Sequence, residues 1–407
     1  MKVWLSHPTG NTFVRGLLAA LSERNWDYNF FTTVGRSSTA SWSKLLPRFL
    51  EESLSRRTFD VPPDRLKTRP LLELSRLATR AAFKTDDFAC VDQVYRDLDL
   101  HVARSLERTA DAPQAVHGYE DGAFATFRCA ARREIRRTYE LPIAYWATGR
   151  SILAEEAERL PHWEPTLGST RDEQEKLDRK DEELRLADCI ICPGNFVLES
   201  LPREIRDQKQ CVIAPFGSPV VPTRLPIRRG ALRVLFAGTL SQRKGLADVF
   251  AAFRLLGRND VELVVVGTPM MPLPFYKKQF SHFTFEPPRP HSALLELMQS
   301  CDLLVLPSLV EGRALVQQEA LACGLPLIVT ANAGGEDLIE EGKSGFLVPI
   351  RSPAKIAEKL EWFATHRDAL EEMRAFCRAK AAEYSWSDYA EKILSALLVP
   401  SPSPVFA

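Results

Sequence analysis

The chain has 407 residues, 45% of them hydrophobic, and its 53 Lys and Arg residues equal its 53 Asp and Glu residues in number. This length exceeds a single hydrophobic core and predicts two domains. The lack of net charge argues against a nucleic-acid-binding protein, and no apolar stretch reaches the roughly 20 residues that cross a bilayer.

The amino-terminal residues turn polar too soon for a secretory signal, and the eight cysteines are scattered along the chain. These features predict a cytoplasmic protein. Cys189 and Cys192 form a Cys-x-x-Cys pair within an apolar run. If that run is a strand, the two side chains point to opposite faces, so we expect them to pack in the core.

The chain opens with a strand, a turn and a helix. Lys2 to His7 form the predicted strand, and Gly10 lies in the turn. The helix carries an apolar face made of Phe13, Leu17, Ala20 and Leu21. Gly10 can bring the backbone close to a ligand, or it can simply serve helix entry, and both interpretations stay open. No G-x-G-x-x-G pattern follows, which argues against a nicotinamide or flavin enzyme.

A basic segment follows between Gly35 and Thr85, where Lys and Arg outnumber Asp and Glu by eleven to five. A basic amphipathic segment can lie on anionic lipid. It can also be a solvated helical insertion that covers a sheet edge. The sequence leaves both interpretations open.

Beyond this segment, His117 and Glu120 follow an apolar pair at a predicted strand end. Leu141 to Trp146 are predicted as a further strand. The proline-rich, aperiodic residues 218–230 predict a linker. After the linker, six apolar runs predict a second sheet, with strands at Arg233–Ala237, Val261–Val266, Phe283–Phe285, Leu303–Leu306, Leu327–Thr330 and Phe346–Val348.

Two patterns in this second half favour binding of an anion. Arg243 and Lys244 lie at a helix start, where cations are unfavourable unless an anion shares the site. Leu315 and Val316 begin the helix that follows the strand Leu303–Leu306, and helix amides at the carboxyl edge of a parallel sheet attract phosphate. A diphosphate is therefore the expected ligand.

The stretch from Glu311 to Pro326 fits the pattern E-G-x-x-L-x-x-x-E-A-L-A-x-G-x-P. It resembles the signature of the retaining, nucleotide-sugar-dependent glycosyltransferases of family 4 (group 1 type). This resemblance implies an α/β chain with the GT-B fold, in which two Rossmann-like domains with parallel sheets face each other across a cleft. It places an acceptor-side domain at 1–217, the linker at 218–230 and the nucleotide-sugar-binding domain at 231–383. The C-terminal helix, about 384–398, would pack back on the first domain.

The resemblance also implies roles for the residues of the second domain. Arg243, Lys244 and the amides near Leu315 and Val316 would hold the donor diphosphate. Glu319 would accept hydrogen bonds from the ribose. Glu311 would lie beside the sugar.

In the first domain, the resemblance places His117 close to the transferred sugar and Gly10 opposite the donor. The usual His-x-His motif is followed by an acid, which Glu120 matches, while Tyr119 replaces the second His. Glu120 is thus a candidate for sugar or acceptor contact. Two further departures are Thr239, in place of a common Arg, and Arg313-Ala314, in place of Phe-Gly. The larger side chains at 313 and 314 are expected to reshape the donor pocket.

The predicted function is a glycosyltransferase that moves a sugar from a nucleoside diphosphate sugar to an acceptor hydroxyl with retention. No Asp-x-Asp lies at a strand end, so we expect neither a metal nor another cofactor. The acceptor would be a glycan, a lipid-linked glycoside or a small molecule of cell-surface synthesis, with anionic membrane at the inner face as a further contact. Alternatives are a nucleotide-sugar epimerase or hydrolase, and a non-catalytic binding scaffold.

Overall fold

The computed structural model describes residues 1–39, 57–83, 88–168, 172–222 and 230–399. Within these ranges the chain forms two large parallel sheets with helices packed on their faces, and a short parallel pair, β3 (Arg36–Ser37) with β4 (Thr58–Phe59). The predicted α/β architecture with two Rossmann-like units is therefore confirmed. In the described ranges, no helix is both long and apolar enough to cross a membrane.

The first sheet has seven parallel strands. In spatial order they are β5 (Leu66–Thr68), β2 (Asp27–Thr32), β1 (Lys2–Ser6), β6 (Ala115–Tyr119), β7 (Arg136–Glu140), β8 (Cys189–Cys192) and β9 (Gln210–Ile213). The helices in this part of the chain are α1 (Thr12–Glu23), α2 (Leu71–Phe83), α3 (Phe88–Arg108), α4 (Phe124–Arg132), α5 (Trp146–Arg159), α6 (Gln174–Leu186), α7 (Asn195–Ser200) and α8 (Arg203–Gln208).

The second sheet has six parallel strands. In spatial order they are β12 (Phe283–Glu286), β11 (Val261–Val266), β10 (Leu232–Ala237), β13 (Leu303–Leu306), β14 (Leu327–Val329) and β15 (Gly345–Leu347). Its helices are α9 (Leu246–Leu256), α10 (Leu273–Gln279), α11 (His291–Gln299), α12 (Leu315–Ala322), α13 (Pro353–Thr365) and α14 (Ala369–Ala382). All four residues of β13 are buried, as expected for an apolar strand covered on both faces.

Both sheets reverse their strand order near the middle. In the first sheet the chain leaves β1 toward β2 and returns to β6 on the other side, and in the second it leaves β10 toward β11 and returns to β13. Such switch points form crevices at the carboxyl ends of the strands, where α/β proteins bind ligands. The predicted diphosphate residues follow β10 and β13, on the two sides of one such crevice.

The final helix, α15 (Trp386–Leu398), packs on the first sheet. A Cβ atom on Gly16 of α1 would lie 2.9 Å from the Trp386 ring, which shows how closely the two helices approach. The Tyr389 hydroxyl donates to the buried Glu140 carboxylate, 2.8 Å away. Helix α15 thus packs on the first sheet, although it follows the second sheet in the sequence.

One predicted strand is wrong. Leu141 to Trp146 form no strand, because β7 ends at Glu140 and α5 begins at Trp146. The true strand was missed because it contains charged residues that are nonetheless buried. Arg136 donates to the Ala396 carbonyl at 2.8 Å, and Glu140 accepts from Tyr389. These partners satisfy the charges inside the fold.

A segment that precedes the predicted linker docks on the second sheet. This docked segment, residues 146–167, comprises α5 and the short 3-10 helix Pro161–Thr166. Its Trp163 belongs to the core of the second sheet, with ring centroids 5.8 Å from Tyr276 and 6.1 Å from Phe250. Side-chain packing therefore joins the two halves of the chain.

Candidate active site

A loop that follows β10 presents two cations to the crevice. Gln242–Lys244 form a single 3-10 turn, which Gly245 ends in the left-handed region at φ +79°. The Lys244 side chain lies along Gly238, where a Cβ atom would come within 2.9 Å of the lysine Cδ. Gly238 also has φ +142°, so both space and backbone conformation favour glycine there.

The Glu311 carboxylate pairs with both cations. Its Oε1 lies 3.0 Å from an Arg243 nitrogen and also contacts the Lys244 ammonium. Arg243 is oriented further by donating to the Val310 carbonyl at 2.8 Å. Burial raises the pKa of Glu311, but the two positive charges outweigh this effect and leave the pKa below its usual value. Glu311 is therefore ionised at neutral pH.

Helix α12 starts with free amides beside this cluster. Its N-cap residue, Ala314, supplies no side-chain acceptor. Across the described ranges, the Leu315 and Val316 amides donate to no backbone carbonyl that precedes the helix. Free N–H groups and the helix dipole together favour an anion at this position.

Glu319 lies one turn further along α12. Its Oε1 is 3.0 Å from His291 Nε2, at the start of α11. Burial raises the pKa of Glu319 above its usual value, and His291 only partly offsets this effect. The carboxylate is thus largely buried, with His291 as a partner.

A cavity of about 480 Å³ joins these groups. Its volume lies within the range of about 300–1,000 Å³ typical of small-molecule sites. Of the predicted site residues, the structure brings together Lys244, Glu311, Leu315, Val316 and Glu319 on its wall. Arg243 reaches the cluster through Glu311.

The cavity has further lining residues that the sequence analysis did not single out. They are Phe13, Pro142 and Phe216 from the first domain, and Thr268, Pro288, Arg289 and Leu294 from the second. Most follow neighbouring strands or begin the next helix, so their places in the crevice depend on the strand order of each sheet. The residues that follow the strands next to β10, such as Thr268 after β11, could have been predicted as lining residues from the strand order.

The first-domain candidates do not line this cavity. His117 is buried in β6, with Nδ1 2.8 Å from Thr138 Oγ1 and Nε2 3.3 Å from Glu140. The Gly10 amide donates to the His7 ring at 2.9 Å. The roles assigned to His117 and Gly10 stay predictions.

Glu120 lies at a second, smaller cavity of about 60 Å³, whose other lining residues include Trp146 and Arg150. Its carboxylate is 3.1 Å from the Lys180 ammonium. Burial raises the pKa of Glu120, and Lys180 partly offsets this effect. Contact of Glu120 with a sugar or an acceptor stays a prediction.

Arg313 and Ala314 both line the main cavity, but the Arg313 guanidinium is fully buried and held on several sides. It forms a two-pronged pair with Asp337 at 2.7 and 3.1 Å and donates to Gln318 Oε1 at 3.1 Å. Gln318 in turn donates to the Phe216 carbonyl, just before the linker. The arginine therefore joins the cavity wall to the junction between the domains.

Gly312 brings the two domains into backbone contact. It forms an antiparallel bridge with Ile143, and a Cβ atom on it would lie 1.6 Å from the Pro142 carbonyl oxygen. No side chain fits between these backbones. The glycine of the Glu-Gly pair thus allows this close approach beside Pro142 and Glu311, which line the cavity.

Comparison with known proteins agrees with this geometry. Residues 222–384 match the family described as Glycosyl transferases group 1. A relative named D-inositol 3-phosphate glycosyltransferase 1, from Catenulispora acidiphila, is 30% identical over 188 residues, which cover 42% of this chain and 45% of the relative. The chain thus spans about half the length of the curated relatives it matches.

Solved structures match almost the whole chain. Sucrose-phosphate synthase from Thermosynechococcus elongatus superposes with a TM-score of 0.69 at 18% identity, covering 97% of this chain and 98% of that one. Anabaena HepE in complex with UDP gives 0.62 at 14% identity, covering 98% and 99%. The chain has the GT-B fold. In GT-B terms, the 480 Å³ cavity is the interdomain cleft, walled by both Rossmann-like domains.

Proposed function

We propose that this GT-B protein is a retaining glycosyltransferase of family 4, which transfers a sugar from a nucleoside diphosphate sugar to an acceptor hydroxyl. The observation that carries the proposal is the joining of Lys244, Glu311, Glu319 and the two free α12 amides on one cleft wall. Cations and amides suit a diphosphate, and a carboxylate on the cleft wall suits hydroxyl groups. The match of residues 222–384 to the group 1 family supports the same reaction class.

The chemistry requires charge stabilisation on the leaving diphosphate. In the proposed reaction the bond between the anomeric carbon and the diphosphate oxygen breaks, and its electron pair leaves with the diphosphate. The acceptor oxygen bonds to the anomeric carbon on the same face, and its proton passes to the departing phosphate oxygen. Lys244, Arg243 and the amides of Leu315 and Val316 would stabilise the negative charge without a metal ion.

The donor class is supported by a neighbour in fold, since HepE is described in complex with UDP-glucose. Glu319 would accept hydrogen bonds from the ribose, and Glu311 would lie beside the sugar, where positive charge develops. The acceptor would be a glycan, a lipid-linked glycoside or a small molecule of cell-surface synthesis. The first domain, which supplies Phe13, Pro142 and Phe216 to the cleft, would select it.

A thermal-shift screen tests the donor class. UDP, GDP and ADP, and their sugars, are compared with the matching nucleosides. A nucleoside diphosphate at a hundred times its dissociation constant should stabilise the protein by about 2.7 kcal/mol, because it binds only the folded state. The stabilisation and the turnover should survive EDTA. Loss of either with EDTA would contradict metal independence, and product formed from donor alone would favour an epimerase or a hydrolase.

We further propose a cytoplasmic location with contact between the basic segment and the inner membrane face. Helix α2 supports this contact, because its Leu71 and Leu74 side chains are 72% and 49% exposed. Part of the basic segment, including Lys44 and Arg48, lies outside the described residues.

The membrane contact predicts co-sedimentation with vesicles that contain anionic lipid. Binding should weaken with added salt, because charges are screened over about 8 Å at physiological ionic strength. Leu71→Ser with Leu74→Ser should reduce it, whereas Leu255→Ser, at a 63% exposed leucine of the second domain, should not. Equal binding to neutral and anionic vesicles would reject the proposal.

A further inference from the structure

The loop with the two cations is held by the docked segment, residues 146–167. Gln242, which directly precedes Arg243, is fully buried. Its backbone amide donates to the Thr166 hydroxyl at 3.0 Å. That hydroxyl donates onward to the Trp163 carbonyl at 2.7 Å, so its orientation is fixed. The position of the loop thus depends on a residue from the other half of the chain.

The Gln242 side chain is held as firmly as its backbone. Its Nε2 donates to Glu156 at 2.6 Å and to Asp248 at 2.8 Å, and its Oε1 accepts from the Ala247 amide at 2.7 Å. Both N–H groups of this buried amide and its oxygen thus have fixed partners. A buried, fully satisfied polar network of this kind defines one arrangement of its members.

Glu156 is itself anchored by two arginines. Arg159 contacts it at 2.6 and 2.9 Å and also reaches Asp248 at 2.8 Å. Arg351, from the second domain, contacts Glu156 at 2.9 Å. The Glu156 side chain has no exposed surface, whereas both arginine side chains are partly exposed, so the carboxylate is the buried member of each ion pair.

We propose that the docked segment positions the donor diphosphate loop, with Thr166 and Glu156 as positioning residues that act through Gln242. Neither residue is among those that line the 480 Å³ cavity. They fix Gln242, the first residue of the turn that also contains Arg243 and Lys244, so that both cations are already oriented when the diphosphate arrives. This inference rests on the proposed function, in which the two cations hold the diphosphate.

The test uses a matched pair at one position. Thr166→Val removes the hydroxyl that accepts from Gln242, while Thr166→Ser keeps it. Binding of UDP and of inorganic diphosphate is measured by calorimetry, with uridine as the ligand that lacks phosphate. Loss of one hydrogen bond is expected to weaken diphosphate binding about two- to tenfold in Thr166→Val. Thr166→Ser should match the wild type, and uridine binding should not change.

A second pair tests the ion network. Glu155 and Glu156 are adjacent on α5, and both pair with Arg351, but Glu155 is 62% exposed. Glu156→Gln should weaken UDP binding in the same selective way, whereas Glu155→Gln should not. Unchanged binding of UDP and inorganic diphosphate by Thr166→Val would overturn the positioning role alone. If the wild type bound neither UDP, GDP, ADP nor inorganic diphosphate, the proposed function would fall, and the positioning role with it.

Discussion

Lys244→Met is expected to lower turnover by about a hundred- to a thousandfold, the usual loss when one preorganised charge donor leaves an active site. Methionine keeps an unbranched side chain of similar length along Gly238, with a sulfur in place of the lysine Cδ, and it lacks the ammonium group. The leaving diphosphate would then lack the cation placed nearest to Glu311. Since charge on the diphosphate grows in the transition state, kcat should fall more than donor affinity.

A lysine in an ordinary surface ion pair provides the control. Lys355 on α13 pairs with Glu358, and both side chains are more than half exposed. Lys355→Met should leave turnover unchanged, because exposed pairs contribute little. Lys244→Arg tests geometry, since a guanidinium keeps the charge but presents it in a planar fork. Wild-type turnover in Lys244→Met would remove Lys244 from the reaction.

The second sheet could be predicted almost completely from the sequence. Its strands are short, mostly apolar runs such as Val261–Val266 and Leu303–Leu306, which are buried except at Glu262. Such runs predict a strand of a parallel sheet from the local sequence alone. The cations and acids of the cleft were found for a related reason. They follow such strands directly, and the carboxyl ends of parallel strands meet at one edge.

The first half of the chain was harder to predict because tertiary partners override local pattern. Strand β7 contains Arg136 and Glu140, whose burial depends on α15, more than two hundred residues away in sequence. The packing of Trp163 against aromatic residues of helices α9 and α10 likewise could not be predicted from the local sequence. From the sequence, Arg313 is expected to reshape the donor pocket because of its size. Its side chain donates hydrogen bonds to Asp337 and Gln318, which the sequence does not predict.

Replacement of Glu311 and of Glu319 by glutamine should affect different kinetic constants. Glu319 on α12, if it accepts hydrogen bonds from the ribose, contributes to binding in both the ground state and the transition state. Glu319→Gln should therefore raise the donor KM about tenfold and leave kcat nearly unchanged. Glu311, if it lies beside the sugar, acts where positive charge appears as the glycosidic bond opens. Glu311→Gln should lower kcat about ten- to a hundredfold, with little change in nucleotide affinity.

The pH dependence of stability gives an independent check on Glu311. Its folded-state pKa is below the usual value because Lys244 and Arg243 outweigh the effect of burial. The ion pairs therefore contribute stability that is present above the unfolded-state pKa and is lost as pH falls through the folded-state pKa. The stability difference between wild type and Glu311→Gln should be largest near neutral pH and should shrink in acid.

Calorimetry with the nucleoside diphosphate and assays with its sugar separate these two roles. The two variants serve as controls for each other, because both remove one carboxylate charge from the same cavity wall. A general loss of fold would reduce kcat and nucleotide binding in both variants. The proposed placement instead predicts weaker donor binding in Glu319→Gln and a lower kcat in Glu311→Gln. If Glu311→Gln abolished nucleotide binding while Glu319→Gln left it intact, the donor would lie in the cleft with its sugar and ribose ends exchanged.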